Sequence, residues 1–244
     1  MFLDKDTREY FYKYSHLNKH INKVLKSQEI LEKYLDMCPN TYLSWSCGKD
    51  STAVLSLLRA IDKDEKIPVI HFDLGVELPN TDSYKANFTN ITTFKPSKNL
   101  IETMLEFGFE SKECRKSNFI KEFTDNNKFD GHIMGLRYNE SSARRNLFKR
   151  GPIYKREEDD MWVCNPIYNW DFEDVFAYLI SSCVPIHPHY SIKSNQPLEE
   201  RRVGGYVSGR NRGSEFGRFY WFKEQYPKEF YELSNKFKEI NNYV

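Results

Sequence analysis

The stretch Ser44-Trp45-Ser46-Cys47-Gly48-Lys49-Asp50-Ser51 decides the fold of this 244-residue chain. In front of it, Thr41–Ser46 (TYLSWS) alternates like a strand, and behind it Asp50–Asp62, rich in Ala and Leu, reads as a helix. A loop of small residues between a strand and a helix N-terminus lets backbone N–H groups approach an anion, and the helix dipole adds to their pull. Lys49 supplies a positive charge, and Ser46 and Ser51 supply hydroxyls. The loop is not a Walker A motif, which needs Gly five residues before Gly48 and Ser or Thr after Lys49; Leu43 and Asp50 stand there.

Working outward, apolar Tyr10, Phe11, Tyr14, Leu17, Ile21, Leu25, Ile30, Leu31 and Leu35 predict a helix from about 7 to 36, ended by Pro39. Ile67–Phe72 (IPVIHF) reads as a buried parallel strand. Ile91–Phe94 and His132–Leu136 (HIMGL) are further strands, and helices are expected over 97–107, 113–126, 141–148 and 172–182. After Trp162 the pattern changes, ending in a Gly/Arg loop over 201–218 and one or two helices over 219–240, interrupted by Pro227. Strands alternating with helices predict an α/β fold with a mainly parallel sheet sandwiched by helices, whose ligand sits beyond the carboxyl ends of the strands. The expected division is an N-terminal helical segment over 1–39, an α/β domain over 40–195, and an Arg/Gly loop with C-terminal helices over 196–244.

Composition sets outer limits. With 39% hydrophobic and 16% aromatic residues a real core is expected, and the net charge of +1 excludes a uniformly basic nucleic-acid binder. The charge is uneven, however: ten of the 13 arginines lie between Arg137 and Arg218, which points to an anion site or to a solvated basic face. No apolar run approaches a membrane span, and MFLDKDTREYFYKY has no signal-peptide pattern. Five cysteines, none spaced C-x-x-C, indicate neither a disulfide framework nor a ready zinc site, so a reducing cytoplasm is the expected compartment.

Three further segments carry chemistry. His71–Pro79 (HFDLGVELP) lies at a strand's carboxyl end; Asp73 either contacts a ribose, metal or partner hydroxyl, or caps the turn in which Gly75 supplies positive φ. Gly135–Arg144 (GLRYNESSAR) places Gly135 where a ligand can approach, with Arg137, Arg144 and Arg145 able to fork onto phosphate or sulfate oxygens and Glu140 able to set an arginine's rotamer. Pro166–Trp170 (PIYNW) and the later Pro185…Pro188-His189-Tyr190 read as mostly structural, Trp170 packing a helix on the sheet. His187 and His189 lack metal-ligand spacing, so a binding or solvent role is expected for them.

The loop at 44–51 resembles the SGGKDS loop of the PP-loop ATP pyrophosphatase superfamily, with Cys47 in place of the second Gly. The HFDLGVELP segment resembles FxDTGxxxPE, Gly135–Arg144 fits GxRxxESxxR, and the segment from Pro166 to Tyr190 is similar to a third pair of motifs, all of the phosphoadenosine phosphosulfate (PAPS) reductase branch. The resemblance spans roughly residues 40–225 and implies an adenine-nucleotide site. Lys49, Asp50, Arg137 and Arg144 are the expected catalytic residues. Ser44, Trp45, Ser46, Cys47, Gly48, Ser51, Asp73, Gly75, Gly135, Glu140, Ser141, Arg145 and Arg202 are expected to bind nucleotide, with Asp50 and Asp73 as weak candidates for Mg²⁺.

Two departures matter. Sulfonucleotide reductases of this kind use a cysteine near the C-terminus as nucleophile, and residues 184–244 contain no cysteine. Arg202–Gly209 (RVGGYVSG) looks like the R-x-G-C-x-x-C-P segment of cluster-bearing relatives, with Gly205 and Ser208 at the cysteine positions; Cys114 resembles another family cysteine but cannot hold a cluster alone, so no iron–sulfur cluster is expected. Arg201, Arg202, Arg210 and Arg212 either close over an anionic ligand or form a solvated loop. Cys47, beside Lys49 at a helix N-terminus, is read as a tolerated small residue rather than a reactive thiol. The leading expectation is an enzyme that cleaves ATP at the α-phosphate, as a pyrophosphatase or adenylyltransferase. The ATP sulfurylase small subunit and the DNA phosphorothioation protein are relatives of this type. The alternatives are a reductase acting on PAPS or adenosine phosphosulfate (APS), and a nucleotide-binding module that works with a protein partner or DNA. The aromatic N-terminal helix is a candidate partner or dimer surface, nucleic acid is not indicated by net charge, and no membrane is expected.

Overall fold

The computed structural model describes residues 3–109, 111–204 and 212–244, with the backbone alone for 212–217 and 243. Helices α1 (Lys5–Tyr14) and α2 (Asn18–Met37) precede β1 (Thr41–Ser44). From there α3 (Lys49–Ile61) leads to β2 (Val69–Phe72), and a short α4 (Thr81–Lys85) to β3 (Ile91–Phe94). Next come α5 (Leu100–Phe107), α6 (Lys116–Asn126), β4 (Gly131–Ile133), a short α7 (Ser142–Leu147), β5 (Ile153–Lys155) and β6 (Trp162–Cys164). Finally α8 (Phe172–Ser181), α9 (Arg212–Gln225) and α10 (Pro227–Lys236) follow.

The six strands form one sheet in the order β3-β2-β1-β4-β6-β5, parallel except for the β5–β6 pair. The expected α/β architecture is what the chain adopts. In register, Leu43 stands beside Val69 of β2, and Tyr42 beside His132 of β4. The chain runs outward from β1 through β2 to β3, then crosses to the other side of β1 to lay down β4. That reversal is the topological switch point, where a crevice opens beyond the strand ends. On one face Tyr42 and Phe72 pack against Phe123 of α6. Another layer joins α2 to α3, and α3 and α1 to α8.

Several elements differ from the sequence reading. The single helix expected over 7–36 is two, separated by a turn at Ser15–Leu17 where the Ser15 hydroxyl donates to the Tyr12 carbonyl. The apolar stripe is buried only in part: Phe11, Ile30 and Leu31 lie in the core, whereas Tyr10, Leu17, Ile21 and Leu25 are exposed. Polar residues dock the first half of α2. His20 and Lys23 donate to the buried Asp174 carboxylate of α8 at 3.0 and 2.5 Å, and Ser27 accepts from the Trp170 indole at 2.9 Å. Strands β5 and β6 and helix α4 were not expected from the sequence, because three to five residues are too few for a period to show. The strand expected to reach Leu136 ends at Ile133, and Met134 continues as an extended segment whose N–H donates to the Cys164 carbonyl.

Candidate functional site

The carboxyl ends of β1, β2 and β4 and the N-terminus of α3 enclose a cavity of about 370 Å³, within the ordinary size range of small-molecule sites. It has two chemically different ends. Ser46, Gly48, Asp50, Ser51, Arg144 and Arg202 line a polar, cationic end; Phe72, Leu74, Val76, Leu100, Ile120 and Met134 line an apolar one.

The loop over 44–51 is held from within. The Ser51 hydroxyl accepts the Ser46 N–H at 3.1 Å and donates to the Gly48 carbonyl at 3.1 Å, while the Trp45 indole donates to Thr52 Oγ1 at 3.0 Å. The left-handed residue is Cys47 (φ 59°), not Gly48, whose backbone is extended. A glycine at 47 would be unstrained there, which gives the SGGKDS pattern a conformational reason. Cys47 is buried, and burial pushes its thiol pKa up. The side chain therefore faces the core and does not line the cavity, so the expected nucleotide-binding role of Cys47 gives way to that of a small residue packed inside the loop.

Asp50 organises the cationic end. Its Oδ1 accepts from Arg137 Nε at 2.7 Å and its Oδ2 from Lys49 Nζ at 3.0 Å. Burial alone would raise the Asp50 pKa, but the two cations hold it well below the usual carboxylate range. Burial acts the opposite way on Lys49 and pushes its pKa down, with Asp50 opposing. Lys49 and Arg137 are almost fully buried, and neither lines the cavity. Arg137 also donates to the Trp170 carbonyl, tying this cluster to the segment that docks α2. Glu140 does the same job one layer out: it pairs with Arg144, accepts from Arg202 Nη1 at 3.0 Å and takes the Arg137 N–H at 3.2 Å. Burial and the neighbouring Arg202 push the Arg144 pKa down to about 10. Arg144 and Arg202 thus reach the cavity, rotamers set by one carboxylate.

Gly135 lines the cavity, but its near neighbour is the chain itself. A Cβ there would lie 2.9 Å from the Asp50 carbonyl carbon and 3.0 Å from the Ser51 nitrogen. The absence of a side chain lets the loop after β4 press on the first turn of α3.

Other expected residues fall elsewhere. Asp73 takes the capping role: its Oδ1 accepts the Gly75 N–H at 3.0 Å, Gly75 has φ 79°, and Oδ2 lies 3.5 Å from Lys95 Nζ. Neither Asp73 nor Gly75 lines the cavity. Ser141 caps α7 by accepting the Arg144 N–H, and Arg145 is exposed on α7. Arg201 is a staple rather than a ligand group, donating to the carbonyls of Tyr190, Ile192, Ser194 and Gln196. His187 and His189 are buried and bond Thr81 and Tyr226, so their expected binding or solvent role gives way to a structural one. Gly205, Ser208 and Arg210, and the Arg212 side chain, lie outside the described residues.

Sequence reasoning missed Glu77, His71, Lys116, His132 and Tyr190. Tyr190 offers its hydroxyl to the Lys49 N–H at 3.0 Å, satisfying the first amide of α3. Glu77 sits inside the HFDLGVELP segment, and only the folded cavity gives it significance. Burial and the nearby Asp73 raise its carboxyl pKa to about 7, with Lys116 and Lys85 opposing. Neither ring nitrogen of His132 has a hydrogen-bond partner among the described residues. No helix among the described residues is long and apolar enough to cross a membrane.

A nucleotide-sized cavity at a switch point, with a small-residue loop feeding a helix N-terminus and arginines above it, defines a PP-loop nucleotide-binding protein. Residues 40–210 match the phosphoadenosine phosphosulfate reductase domain, and the chain belongs to that family, within the PP-loop ATP pyrophosphatase superfamily. No curated protein matches the sequence. Among solved structures, the PAPS reductase of Candida auris in a phosphate complex aligns with TM-score 0.58 at 19% identity over 86% of this chain and 99% of that one. The FMN adenylyltransferase of Candida glabrata, in complex with FAD and inorganic pyrophosphate, aligns with TM-score 0.54 at 14% identity over 76% of this chain and 68% of that one. The U34-tRNA thiolase of Methanococcus maripaludis, which carries a 4Fe–4S cluster, aligns with TM-score 0.50 at 15% identity over 91% and 80%. At these identities the likeness establishes the fold.

Proposed function

We propose that the chain binds ATP in this cavity and cleaves it at the α-phosphate, as a pyrophosphatase or an adenylyltransferase. The observation that carries the reading is the arginine pair Arg144 and Arg202, held by Glu140 beside the α3 N-terminus. The triphosphate lies across the loop over 46–51, with the base toward the apolar walls. An acceptor attacks the α-phosphorus; the bond to the bridging oxygen breaks, and pyrophosphate leaves with negative charge that Arg144 and Arg202 stabilise. Asp50 holds Lys49 and Arg137 in place. Asp50 and Asp73 do not form a ready Mg²⁺ cradle, because Asp50 is bonded to two cations and Asp73 is bonded to its own turn. Mg²⁺ would instead arrive with the nucleotide's phosphates and would offset their charge there.

A sulfonucleotide reductase reading draws its support from the family. Such chemistry needs a thiolate at sulfur. Cys38, Cys47, Cys114 and Cys164 are buried, with thiol pKa values raised by burial, and the exposed Cys183 is not among the cavity residues. That favours ATP over PAPS or APS. Titration calorimetry with ATP and Mg²⁺, followed by phosphorus NMR of the products, tests the choice. AMP and pyrophosphate are expected; ADP with orthophosphate, or sulfite released from PAPS in the presence of thioredoxin, would sink the proposal. Tight ATP binding without turnover would favour a nucleotide-binding module that acts with a partner.

A further inference from the structure

The rim of the cavity carries more positive charge than the reaction above uses. Lys116, Arg144 and Arg202 line the opening from α6, α7 and the 202–204 segment. Next to them Arg115 precedes α6, and Arg145 and Lys149 lie four residues apart on α7 and the turn that continues it. These three are exposed, and none pairs with a carboxylate among the described residues. Most acids close by are engaged elsewhere: Glu140 holds Arg144 and Arg202, and Glu157, Asp159 and Asp160 hold Arg150, Arg156 and Lys155. Glu113 and Glu158 are the exposed exceptions. Around the unpaired cations the exposed side chains are Asn139, Ser141, Ser142 and Asn146. The large apolar side chains that the molecule exposes lie elsewhere, and none of them falls among the described residues between 108 and 219.

We propose that this rim docks the sugar–phosphate backbone of a nucleic-acid strand, which then passes the opening of the cavity. Arg, Lys, Ser and Asn are the side chains that contact phosphate and sugar oxygens. A protein partner would call for buried aromatic or aliphatic anchors at the centre of its interface, and the rim offers none. The near-zero net charge of the chain does not oppose this docking, because the field is local: residues 137–156 hold seven basic side chains and one acidic one. The docking goes beyond the nucleotide reading and does not depend on it, since Arg115, Arg145 and Lys149 lie outside the cavity.

The test reads the anisotropy of labelled single strands of about 20 nucleotides, DNA and RNA, as the full chain is added at about 50 to 200 mM salt. Three phosphate contacts on a single strand should give a log–log slope of about −2, a loss of roughly twentyfold in affinity across that range. Arg115→Glu and Lys149→Glu should each weaken binding by at least about threefold and flatten the slope by about 0.7, with ATP affinity by calorimetry changed less than about twofold. Arg115→Ala and Lys149→Ala keep the test informative if a reversed charge prevents folding. No binding of either strand at about 50 mM salt, or binding unchanged in every variant, overturns the docking. Poly-glutamate that displaces the labelled strand as well as an unlabelled strand does overturns the choice of nucleic acid and assigns the rim to an acidic protein. ATP bound normally in any of these cases leaves the nucleotide reading standing. A strand that binds while ATP does not overturns that reading alone.

Discussion

Gly135 is where a single atom decides the geometry of the site. Motif reading places a ligand against this glycine, whereas the near contact is backbone, the Asp50 carbonyl and the Ser51 amide. Those atoms are not side-chain ends that can swing away. Gly135→Ala should therefore displace the first turn of α3, costing about 1–3 kcal/mol as overpacking does and lowering ATP affinity by at least about tenfold. Calorimetry together with urea denaturation checks both effects; a variant with unchanged affinity would show that the loop tolerates the shift. Cys47 carries a related lesson. Its left-handed backbone was not legible, because the residue type is one that rarely adopts that conformation. The motif alignment placed a glycine of relatives there, and the fold supplies the reason.

At the level of elements, the docking of α2 on α8 rests on polar groups. Asp174 is buried and accepts from His20, Lys23 and the Asp171 N–H. Burial would raise its pKa, but these donors lower it from the ordinary 3.8. A carboxylate whose folded pKa is depressed adds stability that is fully present above its unfolded pKa and is lost as pH falls from there through the folded value. Acid should thus weaken the parent below about pH 4. Asp174→Asn should cost about 2–3 kcal/mol at pH 7 and flatten that acid slope. Urea midpoints of both proteins from pH 3 to 7 measure it; parallel curves would remove Asp174 from the docking. The sequence's helical spacing picked out Phe11, Ile30 and Leu31, which are buried, but also Tyr10, Ile21 and Leu25, which are exposed. Periodicity identifies a helix, but it cannot tell which face meets a partner when the contact is made by His, Lys and Ser. Strands β5 and β6 escaped for a different reason: three residues hold no period, and only the pairing of β6 with β4 and of β5 with β6 gives them a place.

For the whole molecule, binding and folding are linked. The cavity draws its walls from strand ends, from α3, α5 and α6 and from the 202–204 segment, so a ligand seated there stabilises the folded chain against unfolding. ATP at 100 times its dissociation constant should add about 2.7 kcal/mol, or roughly 5–10 °C in melting temperature for a chain this long. Arg202→Ala should lower that shift at the same ATP concentration without changing the ATP-free melting point by more than about 2 °C, since Arg202 is a half-exposed partner of Glu140. Differential scanning calorimetry with and without ATP reads both numbers, and an undiminished shift in the variant would remove Arg202 from the phosphate end. The amino-acid sequence alone determined the parallel α/β class, the switch-point loop and the arginines of GLRYNESSAR. These are local signals: a period of residues, a glycine before a helix, a cluster of one charge. Only the tertiary structure decided that Arg201 staples a loop while Arg202 reaches the cavity, that Asp73 closes its own turn, and that Glu77 meets His71. Each of those outcomes depends on which side chains from distant segments share low-dielectric space, and no spacing along the chain encodes that.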